Sequence, residues 1–265
     1  MIRRFVAIAL AFLFIQTGIG QQLRYATDSL SFIELRKVAL EEGDTSTASC
    51  ARFHRFIWFE ESSETAQKLN HKLYADLSEI PVRSVSELKD IFTSDFNDWS
   101  AEWQSQFTAE DSSPLDFSFN LTWSEENVIG VLYQTASTIC IYESLDGYYG
   151  GAHPNGATRY RVFSLPEATQ VEKWTELFED KDTQAILKLA EERFRSEKGL
   201  SSKVSLNEAG YWFNNNRFHL TDNFGFDADG LFFLFNPYEI ASYAEGPIFI
   251  SIPYNKLRKY LKKPL

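Results

Sequence analysis

The spacing of hydrophobic residues predicts helices in separate parts of the chain. Ser84, with Glu87 three residues later, has the pattern of a capping box that opens a helix. Large apolar residues then recur every three or four positions, at Leu88, Phe92, Phe96, Trp99, Trp103 and Phe107. Such an aromatic stripe is typical of core packing, with a ligand groove as the alternative. Similar spacings predict a helix that begins near Ser63 and another over residues 183–197.

In other parts of the chain, apolar and polar residues alternate, which predicts strands. Residues 115–123 alternate as a half-buried strand does, and the last third of the chain holds short apolar runs separated by turns. Asp229-Gly230, between two of these runs, predicts a hairpin. Because no regular βαβ order appears, the sequence favours an α+β fold with antiparallel sheets and packed helices. We expect two closely associated halves, residues 21–170 and 171–265.

The first twenty residues have the features of a secretory signal peptide. Arg3 and Arg4 precede an apolar run over residues 5–15, and small residues allow cleavage after Gly20. A membrane anchor is the alternative, but the run is shorter than the ~20 apolar residues that cross a bilayer. We therefore expect an exported protein, periplasmic or extracellular, with no stable membrane span once the signal peptide, residues 1–20, is removed.

Charge and composition exclude several functional classes. The chain has 37 Asp and Glu against 26 Lys and Arg, a formal charge of −11, whereas binding of nucleic acid needs a basic face. No two of the four histidines lie three to five residues apart, and the sequence has no CxxC, P-loop or GxGxxG motif, so neither a metal nor another cofactor is expected. A disulfide between Cys50 and Cys140 is chemically allowed in an oxidising compartment; two separately buried thiols are the alternative.

Two segments carry the candidate chemistry. In the first, paired glycines let the chain turn tightly after a strand. Its candidate ligand-binding residues are Tyr148, Tyr149, Gly150, Gly151, His153 and Asn155. In the second, a Pro-Tyr turn follows a buried strand and presents Tyr238, Glu239, Tyr243 and Glu245. Aromatic faces beside carboxylates suit sugar rings and cationic side chains equally well. The alternative is that both segments have no ligand and pack back onto the fold.

These segments resemble a known family. The stretch from Tyr149 to His153 (Tyr-Gly-Gly-Ala-His) and the stretch from Pro237 to Tyr254 lie about 80 residues apart and in the family's order. The resemblance is to a bacterial extracytoplasmic domain of unknown function, found in the lysozyme-receptor portion of the anti-sigma-V factor and in the non-catalytic N-terminal region of peptidoglycan deacetylase C. It implies a deacetylase-C-type N-terminal α+β half followed by a smaller C-terminal half. Ser242 departs from the family's usual proline, and the deacetylase's catalytic elements are missing from the sequence.

The function expected from these observations is binding without catalysis. We expect an exported protein of the bacterial cell envelope that recognises peptidoglycan-type glycan or a cationic wall-active protein such as lysozyme. One alternative is a wall-glycan hydrolase that uses His153 with Glu239 or Glu245 as acid and base. The other alternative is a structural envelope protein that has no ligand.

Overall fold

The chain divides into two units that interleave along the sequence. The computed structural model describes residues 23–39, 45–60, 63–78, 80–107 and 121–263. Within these residues, unit 1 comprises Leu23–Gly130 and Ser144–Gly156, and unit 2 comprises Val131–Glu143 and Ala157–Leu265. The division into consecutive halves, 21–170 and 171–265, stays a prediction. The signal peptide predicted for residues 1–20 and most of the strand predicted for 115–123 lie outside the described residues.

Strands and helices occur in blocks along the described residues. The strands are β1 (Tyr25–Ala39), β2 (Thr45–Phe59), β3 (Thr122–Gln134), β4 (Thr138–Tyr148), β5 (Asn155–Ser164), β6 (Thr169–Val171), β7 (Phe224–Phe226), β8 (Gly230–Phe235) and β9 (Ile248–Pro253). The helices are α1 (Glu64–Leu73), α2 (Val85–Ser105), α3 (Thr183–Glu197) and the single-turn α4 (Tyr254–Leu257). Short 3-10 turns include Trp174–Leu177, Asn214–Asn216 and Tyr243–Glu245. This block order confirms the α+β prediction.

The pairing of β2 with β3 departs from the antiparallel arrangement that the sequence predicts. Strands β1 to β6 follow one another in sequence order in one sheet, and β7 to β9 form a second sheet. Pairing is antiparallel for β1–β2, for β5–β6 and throughout the second sheet. In contrast, β2 and β3 are parallel, with Arg52 opposite Glu125. The helices α1 and α2 lie between these two strands in sequence, and such a crossover returns the chain in the same direction.

Helix α2 begins and packs as its sequence predicts. The Ser84 hydroxyl accepts a hydrogen bond from the Glu87 backbone N–H at 3.2 Å, which satisfies one of the unpaired N–H groups of the first turn. The residues that α2 buries are Leu88, Phe92, Phe96, Ser100 and Trp103. Phe92 stacks on His54 of β2, with ring centroids 4.2 Å apart. Most of the aromatic stripe is therefore core packing in unit 1.

The sheet in unit 1 has two chemically different faces. Successive side chains of a strand point to opposite faces, so the register assigns each residue to one of them. The covered face, on which α2 packs, carries Phe32, Arg52, His54 and Glu125. The open face carries Ser31, Ile33, Ala51, Phe53, Ser124 and Glu126.

Unit 2 is built around strand β8 and helix α3. All six residues of β8 are buried. The residues that α3 buries are Ile186, Ala190 and Phe194. The Asp227 carboxylate accepts hydrogen bonds from the N–H groups of Asp229 and Gly230 at 2.8 and 3.0 Å. These bonds close the hairpin between β7 and β8 that Asp229-Gly230 predicts.

Candidate functional site

The first candidate segment leaves the end of β4 in unit 1. Gly150 and Gly151 have φ angles of 90° and 103°, in the left-handed region that favours glycine, and they form the predicted tight turn. The Tyr148 hydroxyl donates to the Gly151 carbonyl at 3.0 Å. His153 Nδ1 lies 2.9 Å from the Pro154 carbonyl oxygen, a contact in which the imidazole donates its Nδ1–H. The histidine is thus held by its own segment.

The two adjacent tyrosines of this segment have different surroundings. Tyr148 is half-buried and lines a hollow on the open face. Tyr149 is directed at the covered face, where its hydroxyl donates to Glu125. Asn155, the last residue of the predicted set, is exposed at the start of β5. The segment therefore contributes side chains to both the covered face and the open face of the sheet.

On the covered face, Arg52 is the centre of an ionic and aromatic cluster. This covered-face cluster consists of Arg52, Asp95, Trp99, Trp123, Glu125 and Tyr149. The Arg52 guanidinium donates to Asp95 of α2, and its Nη2 donates to Glu125 Oε2 at 3.3 Å. Its Nε lies 3.0 Å from Glu125 Oε1, an ion-pair contact in which the N–H is not directed at the oxygen. The guanidinium carbon lies 4.2 Å from the centroid of the Trp99 ring.

Tyr149 is fixed within this cluster. Its ring packs edge-to-face against Trp99 and Trp123, with centroids 6.1 and 5.8 Å apart. A Cβ at Gly147 would lie 2.8 Å from the Tyr149 ring, so only glycine allows this approach. Burial, followed by the hydrogen bond to Glu125, raises the pKa of Tyr149 well above its ordinary value. The hydroxyl therefore stays protonated at neutral pH and acts as a donor that supports Glu125.

The opposite, open face of the sheet contains a hollow of about 420 Å³. This open-face hollow is lined by Ser31, Ile33, Ala51, Phe53, Ser124, Glu126, Asp146, Tyr148 and Pro154, with contributions from Phe32, Arg52, Glu125 and Gly147. The hollow is more open to solvent than enclosed, so it is a depression of the surface and not a closed cavity. Ile33 is 51% exposed although its side chain is aliphatic, so this face presents apolar surface to solvent.

The charge of the open-face hollow is negative. Glu126 and Asp146 are both exposed at its edge. The one cationic residue among those that line it, Arg52, is paired with Asp95 and Glu125. Asp146 accepts a hydrogen bond from the Ser144 hydroxyl at 3.2 Å. The hollow therefore combines apolar contact surface with carboxylates whose charge no lining cation balances.

The second candidate segment belongs to unit 2 and is anchored by asparagine side chains. Asn223 Oδ1 accepts from the Tyr160 N–H at 2.8 Å, and its Nδ2 donates to the Thr158 carbonyl at 2.7 Å. Asn236 Oδ1 accepts from the Thr158 N–H at 2.8 Å. These amides reproduce the donor and acceptor pattern of a neighbouring strand along β5. They fix the position at which the segment begins.

The carboxylates of the second segment both have partners within unit 2. Glu239 accepts a hydrogen bond from the Asn236 N–H at 3.0 Å, within the turn that contains Tyr238. Glu245 pairs with Lys198 at 2.9 Å. Burial lowers the pKa of Lys198, but the hydrogen bond to Glu245 and the nearby Tyr211 outweigh burial, so that pKa lies above its ordinary value. Glu239 thus stabilises its own turn, whereas Glu245 links its segment to the end of helix α3.

The predicted site residues fall into both units. The residues of the first segment from Tyr148 to Asn155 belong to unit 1, and those from Tyr238 to Glu245 belong to unit 2. Each group is accordingly described within its own unit. Within unit 2, Glu239 is hydrogen-bonded to Asn236 and Glu245 is paired with Lys198. The hydrolase alternative stays a prediction.

The two cysteines are free thiols, which agrees with the alternative of two separately buried thiols and not with the disulfide that the sequence also allows. Cys50 lies on β2 in unit 1 and Cys140 on β4 in unit 2, and each is fully buried. Burial raises the pKa of both thiols from 9.0 to about 12. Within the residues that the structure describes, no group of three His, Cys, Asp or Glu side chains is arranged to hold a metal ion. No helix in that part of the chain combines the length and the apolar character that crossing a bilayer requires.

Sequence reasoning missed most of the covered-face cluster and the open-face hollow. Arg52 and Phe53 lie in a strand that hydrophobic alternation does not predict, and Asp95 lies on the polar side of a predicted helix. Glu125 and Glu126 follow Trp123 and Ser124 in the same strand, so their opposite orientations can be read once the strand is known. Trp99 was recognised only as a member of the aromatic stripe.

Comparison with known proteins finds a family model that matches part of the chain. Residues 175–255 match the sequence model of a family described as a protein of unknown function, DUF3298. No curated protein matches the chain. The crystal structure of a DUF3298 family member from Bacteroides fragilis is similar, with 21% identity, a TM-score of 0.64, and coverage of 93% of this chain and 96% of that one.

A second solved structure is also similar. A DUF3298 family protein from Pseudomonas aeruginosa shares 14% identity with a TM-score of 0.53, and the match covers 92% of this chain and 97% of that one. At such identities the likeness concerns the fold alone. It agrees with the α+β architecture, and the family match agrees with the expected domain of unknown function over residues 175–255.

Proposed function

We propose that this chain is an exported, non-catalytic binding protein of the bacterial cell envelope whose ligand is a cationic wall-active protein such as a lysozyme. The observation that carries the proposal is the open-face hollow of unit 1. It joins apolar surface from Ile33 and Phe53 to the exposed carboxylates of Glu126 and Asp146. This combination suits a lysine or arginine side chain of a partner.

The chemistry of a basic side chain matches the hollow in two respects. The aliphatic stem of lysine or arginine packs on apolar and aromatic surface, while its charged head remains near solvent. Here the stem would lie against Phe53 and Tyr148, and the head would pair with Glu126 or Asp146. Because Arg52 is neutralised on the covered face, it does not repel such a ligand.

The overall charge supports the same class of ligand. A formal charge of −11 steers a basic protein towards this chain and raises the rate of association, more so at low ionic strength. Peptidoglycan-type glycan, the other ligand expected from the sequence, suits the hollow less well because its peptide carboxylates would meet Glu126 and Asp146. The resemblance to the lysozyme-receptor portion of the anti-sigma-V factor, and the signal-peptide pattern of residues 1–20, support an envelope role.

The experiment is a binding titration of a c-type lysozyme against the purified chain at low and at physiological salt. We expect saturable binding that weakens as salt rises. The double variant Glu126→Gln/Asp146→Asn should bind about tenfold more weakly, since each charged pair contributes of order 0.5–1 kcal/mol. The matched control Glu208→Gln/Asp222→Asn removes the same charge from exposed positions of unit 2 and should change the affinity less than threefold.

Three results would contradict the proposal. Absence of lysozyme binding at low salt would show that lysozyme is not the ligand. Equal weakening by the two double variants would show attraction by net charge without a site. Turnover of wall glycan by the purified chain, abolished by His153→Ala, would replace binding with the hydrolase alternative.

A further inference from the structure

Two exposed aromatic residues lie on unit 2, one beside the second candidate segment and one within it. Trp212 is 51% exposed and Tyr238 is 52% exposed, although aromatic side chains are mostly buried in folded proteins. The Trp212 N–H donates to the Ile240 carbonyl at 2.7 Å, so this tryptophan lies alongside the stretch from Tyr238 to Tyr243. We call Trp212, Tyr238 and Tyr243 the aromatic platform.

Buried neighbours hold the backbone of the aromatic platform in place. Trp212 lies between Tyr211 and Phe213, both of which are buried in the core of unit 2. On the facing segment, Ile240 and Ala241 are buried in the same core. The exposed ring of Trp212 is therefore carried by a fixed backbone, so that little conformational entropy of the main chain is lost when a ligand binds.

Tyr238 has a backbone conformation that is costly for an aromatic residue. Its φ angle is 70°, in the left-handed region that residues other than glycine seldom occupy. The turn around it is closed by the Glu239 N–H, which donates to the Asn236 carbonyl at 3.2 Å. Its ring lies 5.6 Å from that of Tyr243, at an interplanar angle of 32°. Unfavourable backbone conformations of this kind cluster at ligand sites, and this one places two mutually tilted rings side by side.

The two carboxylates next to the aromatic platform have partners within unit 2. Glu245 pairs with Lys198, and Glu239 accepts hydrogen bonds from the uncharged Asn236. The residues that follow the tryptophan, Asn214 and Asn215, are exposed amides, which donate and accept hydrogen bonds without charge.

We propose that the aromatic platform binds the uncharged sugar rings of an oligosaccharide. A pyranose ring has an apolar face of C–H groups, which stacks on an aromatic ring, and a rim of hydroxyl groups, which pairs with amides and tyrosine hydroxyls. Trp212 is the central stacking residue, and Tyr238 with Tyr243 receives a neighbouring sugar. This site is independent of the open-face hollow and goes beyond the function proposed above.

The test is a titration of the full chain with two neutral oligosaccharides, tetra-N-acetylchitotetraose and cellotetraose, followed by tryptophan fluorescence and calorimetry. We expect at least one to bind with a change in fluorescence. Trp212→Ala should weaken that binding at least tenfold and remove most of the fluorescence change, whereas Trp212→Phe, which keeps an aromatic face, should stay within about threefold. The control Phe249→Ala removes another exposed ring of unit 2, 46% exposed on β9, and should leave the affinity unchanged.

Each other outcome overturns the inference. If neither oligosaccharide binds at several millimolar, or if Trp212→Ala binds as the unaltered chain does, the platform is not a sugar site. If Trp212→Ala instead weakens lysozyme binding, the platform is a protein contact. Glu126→Gln/Asp146→Asn separates the two proposals, because it should weaken the lysozyme interaction about tenfold while the oligosaccharide titration stays the same.

Discussion

Lowering the pH below 6.5 is expected to destabilise the protein through a single buried histidine of unit 1. His54 is 4% exposed and stacks on Phe92, and among the described residues its Nε2 has no hydrogen-bond partner. Burial, followed by the nearby positive charge of Arg52, lowers the pKa of His54 from 6.5 to about 4. The folded protein therefore holds this imidazole neutral under conditions in which the unfolded chain would protonate it.

The sign and size of the effect follow from the difference in pKa. Because the pKa is lower in the folded state, the unfolded chain binds the additional proton. The contribution of His54 to stability is complete above pH 6.5 and is lost as the pH falls from 6.5 to about 4. A shift of this size corresponds to about 3 kcal/mol in total, of which about 2 kcal/mol is lost at pH 5.

Urea unfolding at pH 7.5 and at pH 5.0 measures this loss, followed by circular dichroism on the unaltered chain and on His54→Phe. The variant removes the titrating group but keeps a ring against Phe92, and any fixed packing cost cancels when the two pH values are compared. The unaltered chain should lose about 2 kcal/mol more than His54→Phe, a difference in midpoint of about 1 M urea. If the units unfold separately, the difference belongs to the transition of the unit that contains β2.

An exposed histidine supplies the control. His71 lies on the solvent side of α1, and His71→Gln should lose as much stability between the two pH values as the unaltered chain. The reasoning is refuted if His54→Phe is as sensitive to acid as the unaltered chain. It is refuted equally if nuclear magnetic resonance places the titration of His54 in the folded protein near 6.5.

Two further predictions concern groups buried in one unit each. Arg52→Met should destabilise unit 1 by about 3 kcal/mol in urea unfolding, because Glu125 is left buried without its cationic partner. The double variant Arg52→Met/Glu125→Gln should recover part of this loss, and a double variant as unstable as the single one would contradict the pairing. Since the pKa of Cys50 and of Cys140 is raised to about 12, both thiols should resist iodoacetamide at pH 8 in the folded protein and react readily in urea, whereas equal rates in the two states would refute their burial.

Elements with a clear periodicity and a capping residue were predictable from the sequence. Helix α2 shows the local signals most plainly, since Ser84 supplies the cap and the aromatic stripe supplies the buried face. The hairpin before β8 is marked in the same way by Asp229-Gly230. These signals act between residues only a few positions apart, so they can be read without knowledge of the fold.

Strands β1 and β2 escaped prediction for a physical reason. The covered face of β2 carries Arg52 and His54 at positions that a sheet normally fills with apolar side chains, so apolar and polar residues do not alternate there. Those polar groups are tolerated because partners distant in sequence satisfy Arg52 and an aromatic ring covers His54. The candidate site on this sheet could not be predicted either. Its residues come together through the parallel register of β2 with β3, and that register depends on a crossover that no local pattern encodes.

The same alternation explains how unit 1 keeps its hollow negative while burying an arginine beside it. Three pairs of adjacent residues, Arg52 with Phe53, Glu125 with Glu126, and Tyr149 with Tyr148, each send one side chain to the covered face and one to the open face. On the covered face the arginine, the glutamate and the tyrosine hydroxyl bond to one another, so the positive charge is neutralised there. The open face keeps the aromatic rings and the second glutamate for a ligand. A shift of the register by one residue would exchange the two sets, so the chemistry proposed for the hollow depends on the pairing of Arg52 with Glu125.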